Sequence, residues 1–292
     1  MEKAVSLELI HYLCKNIKID FGLSYTFSEE YMENYLIRNK IVIIESLPEG
    51  DLKTGLNLYE TLRQEWIDDY FFDVEYFTIN NKHQLSVLLY DISRKTVDAQ
   101  NDFEYILHFE CHGNQTGLLL SSSEEVVWGE LFSMTRPINI NTNNTLILVL
   151  SMCNGDKIIT DIEPKERAPF FIVIGAIGVI TAGVLEETFI KFYKALQGMD
   201  ESEKLEQYKK NIHDILSDKF VLFTQEIIFD AYYDERLFPD AIDKLIEKEM
   251  FNLCKSNPND ILLITKENYK KYRSKQLEKF RNKYRKFFCF CD

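Results

Sequence analysis

Short apolar runs alternate with segments of helical periodicity through the middle of this chain. Runs with the length and composition of buried strands lie at 41–47, 73–79, 104–110, 145–151 and 170–174. Segments whose apolar residues recur every three to four positions lie at 52–69, 85–97 and 184–196. A short hairpin and a helix are expected over 115–144. This alternation predicts an α/β fold with a mostly parallel central sheet flanked by helices.

This alternation divides the chain into three predicted parts. Residues 1–39 form a helical segment, 40–199 the α/β domain, and 200–292 a helical C-terminal extension. The stretch 266–292 holds ten Lys or Arg and three acidic residues, with aromatic residues at helical spacing. We expect a basic amphipathic helix docked on the acidic remainder of the chain. The alternative is a surface for an acidic partner, nucleic acid or a membrane face.

Charge and composition narrow the class of protein. The net charge of −13 disfavours duplex DNA as a partner of the main body, which leaves only the basic tail as a nucleic-acid contact. The six cysteines follow neither a disulfide framework nor a zinc-ribbon spacing. Residues 1–15 carry Glu2 and Glu8 and do not read as a signal peptide. A cytoplasmic protein with reduced thiols is therefore expected.

The uncharged run at 168–185 reaches the lower length limit for a membrane span. Pro169 begins the run, and Gly175, Gly178 and Gly183 interrupt it. Buried parallel strands also appear as continuous apolar runs. The run is interpreted as a strand, a loop and the start of a helix, so no membrane span is predicted.

Two of the predicted strands lead into reactive side chains. The run 106–113 ends in His112 and Gly113, and the run 146–155 reaches Cys153 with a glycine two residues later. In open α/β sheets, functional groups gather at the carboxyl ends of strands. An imidazole and a thiol at one sheet edge are the groups that a cysteine nucleophile needs. Taken singly, either residue is more often a structural one.

A zinc site is the alternative use of these side chains, because His108 and Cys111 have a ligand-like spacing. Strand alternation places His108 and His112 on one face and Cys111 on the other, and no fourth ligand accompanies them. We therefore expect no metal and no cofactor. Since His108 and Glu110 share the face of His112, either is a candidate to orient its ring.

His112-Gly113 after one strand and Cys153-Asn154-Gly155 after the next resemble the caspase-like cysteine peptidases of clan CD. The His and Cys are 41 residues apart, near the spacing of roughly 50 typical of caspases. Ser151 and Met152 stand where animal caspases have Gln-Ala. The pattern is more similar to the bacterial CHAT-type branch, and the resemblance covers residues 41–196.

This resemblance implies a caspase-like fold and a cysteine endopeptidase. It assigns Cys153 as nucleophile, His112 as general acid and base, and the backbone amides of Gly113 and Cys153 as the oxyanion hole. In this clan an acidic specificity pocket selects Arg or Lys, and a basic pocket selects Asp. The acidic candidates here are Glu45, Asp156 and Glu187.

The resemblance further implies a specific protein substrate, control by an activating protein or effector, and a role in bacterial antiviral defence or programmed death. The charged loop 156–167 is either a simple connection or a site cut on activation. Three alternatives remain open: a non-catalytic caspase-like interaction scaffold, an unrelated thiol enzyme such as an acyltransferase, and a nucleic-acid-binding effector that uses the basic tail.

Overall fold

A computed structural model describes residues 38–65, 72–97, 103–162, 164–197, 212–232, 275, 278, 279 and 281–290. Its strands are β1 (Arg38–Ser46), β2 (Phe72–Thr78), β3 (Phe103–Gly113), β4 (Gly117–Leu119), β5 (Glu125–Val127), β6 (Ile147–Ser151), β7 (Ile172–Ala176) and β8 (Phe220–Thr224). Its α-helices include α1 (Thr54–Glu65), α2 (Lys82–Thr96), α3 (Trp128–Asn141), α4 (Ala182–Gln197) and α5 (Gln225–Tyr232). Short 3₁₀ turns lie at Gly155–Asp161 and Ser217–Lys219, and residues 281–288 are helical.

The strands form one mixed sheet in the order β2-β1-β3-β6-β7-β8, and the first five of these are mutually parallel. Only β8 runs antiparallel to its neighbour within that path, and the hairpin β4–β5 pairs with the end of β3. Helices connect the parallel strands and flank the sheet. The predicted α/β class with a mostly parallel central sheet is confirmed.

The apolar runs become central strands because helices cover both of their faces. Every residue of β6 and β7 is buried. On one face, α4 packs Phe189 and Phe192, which are 0% and 2% exposed, into a cluster with Ile43, Ile106 and Val149. Burial on both faces is what makes these strands read as continuous apolar segments.

The uncharged run at 168–185 divides into two elements, as expected. It supplies all of β7 and the first turn of α4, with an intervening loop at 177–181. Within the described ranges, no helix is both long enough and apolar enough to cross a membrane.

The region 200–292, which was expected to be mainly helical, also contains the strand β8. Residues 220–224 pair with β7 and alternate between buried and partly exposed positions. A five-residue alternation is short beside the helical patterns around it, which is why the strand was missed. The α/β sheet therefore extends beyond the predicted boundary at 199. The predicted helical segment 1–39 lies, up to residue 37, outside the described residues.

The chain forms two compact units, and the smaller one comprises 162–168 and 225–292. Within it, Asp230 accepts hydrogen bonds from Arg281 at 2.7 Å and from Arg285 at 3.0 Å. The buried Phe288 ring lies against Phe229. The described end of the basic tail therefore packs on α5 through both charge and apolar contact.

Segment 162–168 belongs to the same small unit. The Arg167 guanidinium lies over the rings of Phe287 and Phe290, 5.0 and 4.4 Å from their centroids. The backbone N–H of Ala168 donates to the carbonyl of Phe288 at 3.2 Å. The end of the predicted charged loop thus packs against the C-terminal helix and is hydrogen-bonded to it.

Candidate active site

His112 and Cys153 lie at the ends of neighbouring parallel strands. The last paired residues of β3 and β6 are Glu110 and Ser151. His112 and Cys153 each come two residues after them. A Cβ atom built on Gly113 would overlap the carbonyl oxygen of Cys153. The two strand ends are therefore in direct backbone contact, and only glycine at position 113 permits that approach.

The thiol of Cys153 is partly exposed and faces the loop 177–181. Its Sγ lies 3.5 Å from the backbone nitrogen of Ile180 and 3.5 Å from the carbonyl oxygen of the same residue. The loop is tied to the strand end, because Asn154 N–H donates to the Gly178 carbonyl at 2.7 Å. Gly178 has φ +62°, a conformation that favours glycine. This short loop thus sets the surroundings of the sulfur.

The other described cysteines are poorly placed for chemistry. Cys111 and Cys289 are buried. Burial, together with the nearby negative charge of Glu110, raises the pKa of the Cys111 thiol. Because the thiolate is the reactive form, a buried thiol with a raised pKa is inert. Of the described cysteines, only Cys153 combines exposure with a position beside a histidine.

The imidazole of His112 is exposed and has a carboxylate partner. Its Nε2 lies 2.8 Å from Oδ2 of Asp51, with the two side chains 53% and 41% exposed. Asp51 follows β1, which neighbours β3 in the sheet. Among the described residues, no hydrogen bond joins the His112 ring to the Cys153 sulfur, whose partner is Ile180. The sequence analysis missed Asp51.

Contrary to expectation, neither His108 nor Glu110 contacts the His112 ring, because these two residues pair with each other inside the protein. His108 Nε2 lies 2.8 Å from Glu110 Oε1, and His108 Nδ1 lies 3.0 Å from the Tyr193 hydroxyl. Burial and the charge of Glu110 raise the pKa of Tyr193 well above its ordinary value. With both ring nitrogens engaged, His108 has no free position for a metal ion.

The direction of the Gly113 amide follows from the hairpin geometry. Asn114 N–H donates to the Gly117 carbonyl at 3.1 Å, which makes these two residues a hydrogen-bonded pair. Pairs in an antiparallel ladder alternate, so the next pair, Gly113 and Leu118, is a non-hydrogen-bonded one. The N–H of Gly113 therefore points away from β4.

The hairpin lies on the β1 side of β3, which decides where that amide points. Ser121, just after β4, donates its N–H to the Ser46 hydroxyl at the end of β1, at 2.9 Å. The Gly113 N–H consequently faces the opposite side, toward β6 and Cys153. A donor in this direction is suited to an anionic oxygen formed beside the sulfur.

Two of the three acidic specificity candidates are engaged with partners of their own. Glu45 is 1% exposed, and its carboxylate accepts from the backbone of Gly55 and from the Tyr76 hydroxyl. It therefore cannot line a peptide pocket. Glu187 is exposed on α4, where its pairing with Lys191 at 2.6 Å lowers its pKa.

Asp156 is the candidate that contacts the loop facing the thiol. It lies in the 3₁₀ turn after Cys153, and its Oδ1 accepts from the Gly178 N–H at 3.3 Å. Its Oδ2 pairs with Lys157 at 2.8 Å. Asp156 thus supports the loop that contacts the sulfur, and its carboxylate is paired with Lys157.

No protein-family model matches this chain, and no curated protein matches it. Assignment of the site therefore depends on the residues and their arrangement.

Proposed function

We propose that this chain is a caspase-like cysteine endopeptidase with Cys153 as nucleophile, His112 as general acid and base, and Asp51 as the carboxylate that orients the imidazole. One observation carries the proposal: an exposed histidine with a carboxylate partner and a partly exposed cysteine follow adjacent parallel strands at one sheet edge. Nucleophile, base and orienting group form the general arrangement of covalent hydrolases.

The proposed reaction has two steps. His112 takes the proton of the Cys153 thiol, and the thiolate attacks the peptide carbonyl carbon. The resulting oxyanion accepts hydrogen bonds from the N–H groups of Gly113 and Cys153. His112 then protonates the leaving amine as the C–N bond breaks, leaving a thioester on the sulfur. In the second step His112 removes a proton from water, which attacks the thioester and releases the acid and the thiol.

The substrate class follows from charge and from the resemblance. Asp156, which supports the loop at the thiol, and the net charge of −13 favour a substrate with a basic side chain near the cut. The resemblance to the CHAT-type branch supports a cytoplasmic enzyme that cuts a specific protein partner after activation, in a bacterial antiviral defence or programmed-death system.

Thiol labelling tests the nucleophile directly. Native protein is treated with iodoacetamide or a peptidyl electrophile, and the modification of each cysteine is measured by mass spectrometry. Cys153 should react faster than the buried Cys111 and Cys289, and His112→Ala should slow it. Cys111→Ala is the matched control and should leave labelling unchanged. Equal labelling of Cys153 in the wild type and in His112→Ala would contradict the proposed pair.

Substrate mapping tests the peptidase activity itself. Wild type and Cys153→Ala are expressed with the neighbouring genes, and new protein N-termini are compared. Cleavage that depends on Cys153, with Arg or Lys before the cut, is the expected result. Labelling of Cys153 without any dependent cleavage would favour an acyltransferase, and absence of both would favour the interaction scaffold.

A further inference from the structure

Two carboxylates lie side by side in the interior, beneath the candidate active site. Glu45 and Glu110 are partners in the parallel register of β1 and β3, and they are 1% and 2% exposed. Burying a carboxylate is costly unless donors replace its water, and burying two neighbours adds their repulsion. The surroundings of this pair must therefore supply donors.

The N-terminus of α1 supplies several of them. Glu45 Oε1 accepts from the N–H groups of Gly55 at 2.9 Å and Leu56 at 3.3 Å. Glu110 Oε2 accepts from the Thr54 hydroxyl at 2.7 Å. The first N–H groups of a helix have no partners within it and carry partial positive charge, so they suit carboxylates.

The helix start lies directly on both carboxylates. A Cβ atom on Gly55 would come within 3.0 Å of Glu45 Oε1 and 3.1 Å of Glu110 Cγ. Alanine at position 55 would require these side chains to move by a few tenths of an ångström. The position of the first turn of α1 is therefore defined by these two side chains.

The remaining carboxylate oxygens also have donors. The Tyr76 hydroxyl donates to Glu45 Oε2 at 2.7 Å, and His108 Nε2 lies 2.8 Å from Glu110 Oε1. With the proton of a neutral His108 on Nε2, its Nδ1 accepts from the Tyr193 hydroxyl at 3.0 Å. All four oxygens of the pair are satisfied, so the network holds one arrangement rather than several.

The hydrogen-bond network around Glu45 and Glu110 connects to both members of the Asp51–His112 pair. Thr54 begins α1 three residues after Asp51, and the intervening loop is held by Lys53 Nζ, which donates to the carbonyls of Leu47 and Pro48 at 2.7 and 3.0 Å. Glu110 precedes His112 by two residues on β3, so its side chain shares that face.

We propose that Thr54 and Glu110 are positioning residues, which hold Asp51 against His112 by fixing the start of α1 on β3. The inference rests on the proposed function, because it concerns the geometry of the candidate catalytic pair. Neither residue touches substrate. Their effect passes through Asp51, which keeps the imidazole in the orientation that the thiol and substrate need.

Two substitutions of nearly equal size test the link. Thr54→Val keeps the shape but removes the hydroxyl that donates to Glu110, and Thr54→Ser keeps the hydroxyl. The readout is the second-order rate of Cys153 alkylation by iodoacetamide from pH 5 to pH 9. Asp51→Asn should slow alkylation at pH 7 by about tenfold and Thr54→Val by about fivefold, whereas Thr54→Ser stays within about twofold.

A double-substitution cycle separates positioning from general weakening of the fold. If Thr54 acts through Asp51, Thr54→Val has no further effect in the Asp51→Asn protein. A second full fivefold loss in that background, or a folded Thr54→Val protein with wild-type rates, would overturn the inference. Thermal melts confirm folding, and Glu110→Gln is the second variant, because its NH2 group replaces one of the two oxygens that accept from His108 and Thr54.

A second readout distinguishes failure of this inference from failure of the proposed function. The ring NMR signals of His112 report its contact with Asp51 whether or not Cys153 is a nucleophile. If Thr54 positions Asp51, the His112 signals of Thr54→Val should shift in the same direction as those of Asp51→Asn. The His112 signals of Thr54→Ser should stay where they are in the wild type. Unchanged alkylation of Cys153 in His112→Ala would refute the proposed function. The His112 signals of the Thr54 variants would still decide the role of Thr54.

Discussion

Ile180 presents both its backbone N–H and its carbonyl to the sulfur of Cys153, each at 3.5 Å. The N–H favours a negatively charged sulfur, and the carbonyl accepts a hydrogen bond from the neutral thiol. The reactivity of Cys153 is thereby linked to the conformation of loop 177–181, which begins where β7 ends.

Replacing Gly178 by alanine should change that loop. The space around this position is open, but its φ of +62° is unfavourable for a residue with a Cβ atom. We expect Gly178→Ala to destabilise the protein by about 1 kcal/mol in urea unfolding and to slow Cys153 alkylation. Gly183→Ala is the matched control, because it also enters open space but at an ordinary helical φ. Equal alkylation rates in the two variants would show that the loop does not govern the thiol.

Gly113→Ala should disrupt the contact between the ends of β3 and β6. The new methyl group would overlap the carbonyl oxygen of Cys153 and lie 2.8 Å from Met152 Cγ. Separating the strand ends should remove activity and destabilise the fold by about 1–3 kcal/mol, as overpacking does elsewhere. Gly129→Ala meets no atom within 4 Å and serves as the control. A Gly113→Ala protein with wild-type alkylation and stability would contradict the close approach.

Glu104 should make stability depend on pH. It is 8% exposed, its Oε2 has no hydrogen-bond partner among the described residues, and burial raises its pKa to about 8. Between the unfolded value of 4.5 and this folded value, the native state keeps a proton that the unfolded chain loses. The free energy of unfolding should therefore fall as pH rises through this window, by about 1.4 kcal/mol per pH unit.

Glu104→Gln removes that titration. Urea unfolding at several pH values from 5 to 8 should show a shallower decline for Glu104→Gln than for wild type. Glu60→Gln is the control, since Glu60 is exposed on α1 and should leave the slope unchanged. Parallel curves for wild type and Glu104→Gln would show that Glu104 is ionised in the folded protein.

Asp230 should stabilise the packing of the C-terminal helix. Its carboxylate is 10% exposed and accepts hydrogen bonds from Arg281 and Arg285. Asp230→Asn leaves two guanidinium groups facing a neutral amide, and we expect a loss of about 1–3 kcal/mol. Hydrogen exchange of the amides in 281–290 should become faster, whereas Asp218→Asn, in an exposed turn, should have no effect. Unchanged exchange in Asp230→Asn would mean that contacts other than these ion pairs, such as the packing of Phe288 on Phe229, hold the helix.

The sequence predicted those parts of the fold that depend on local pattern. Buried parallel strands are apolar throughout, so β1, β3, β6 and β7 stood out, and the side chains that follow them were placed at one edge. The helix at 184–196 was predicted from the spacing of its apolar residues, and Phe189 and Phe192 of that segment are buried. The strand β8 was missed because its partner, β7, is more than forty residues earlier and its own alternation is short.

The details of the site depended on contacts that no local pattern contains. Asp51 reaches His112 across a loop, and only the order β1-β3-β6 brings that loop beside the histidine. Glu45 lies at a strand end like a site residue, but the start of α1 covers it. Strand alternation alone placed Glu110 and His112 on one face, yet Glu110 finds its partners in the interior.

The antiparallel strand β8 has a practical consequence for dissecting this protein. It provides the hydrogen-bonding partner for the outer side of β7, although it lies in the sequence well after the alternating strands and helices of the predicted α/β domain. A shortened version that stops at residue 199 would leave that row of backbone groups open to the same strand in another molecule. Such a fragment should self-associate, and the smallest well-behaved piece should reach at least residue 224.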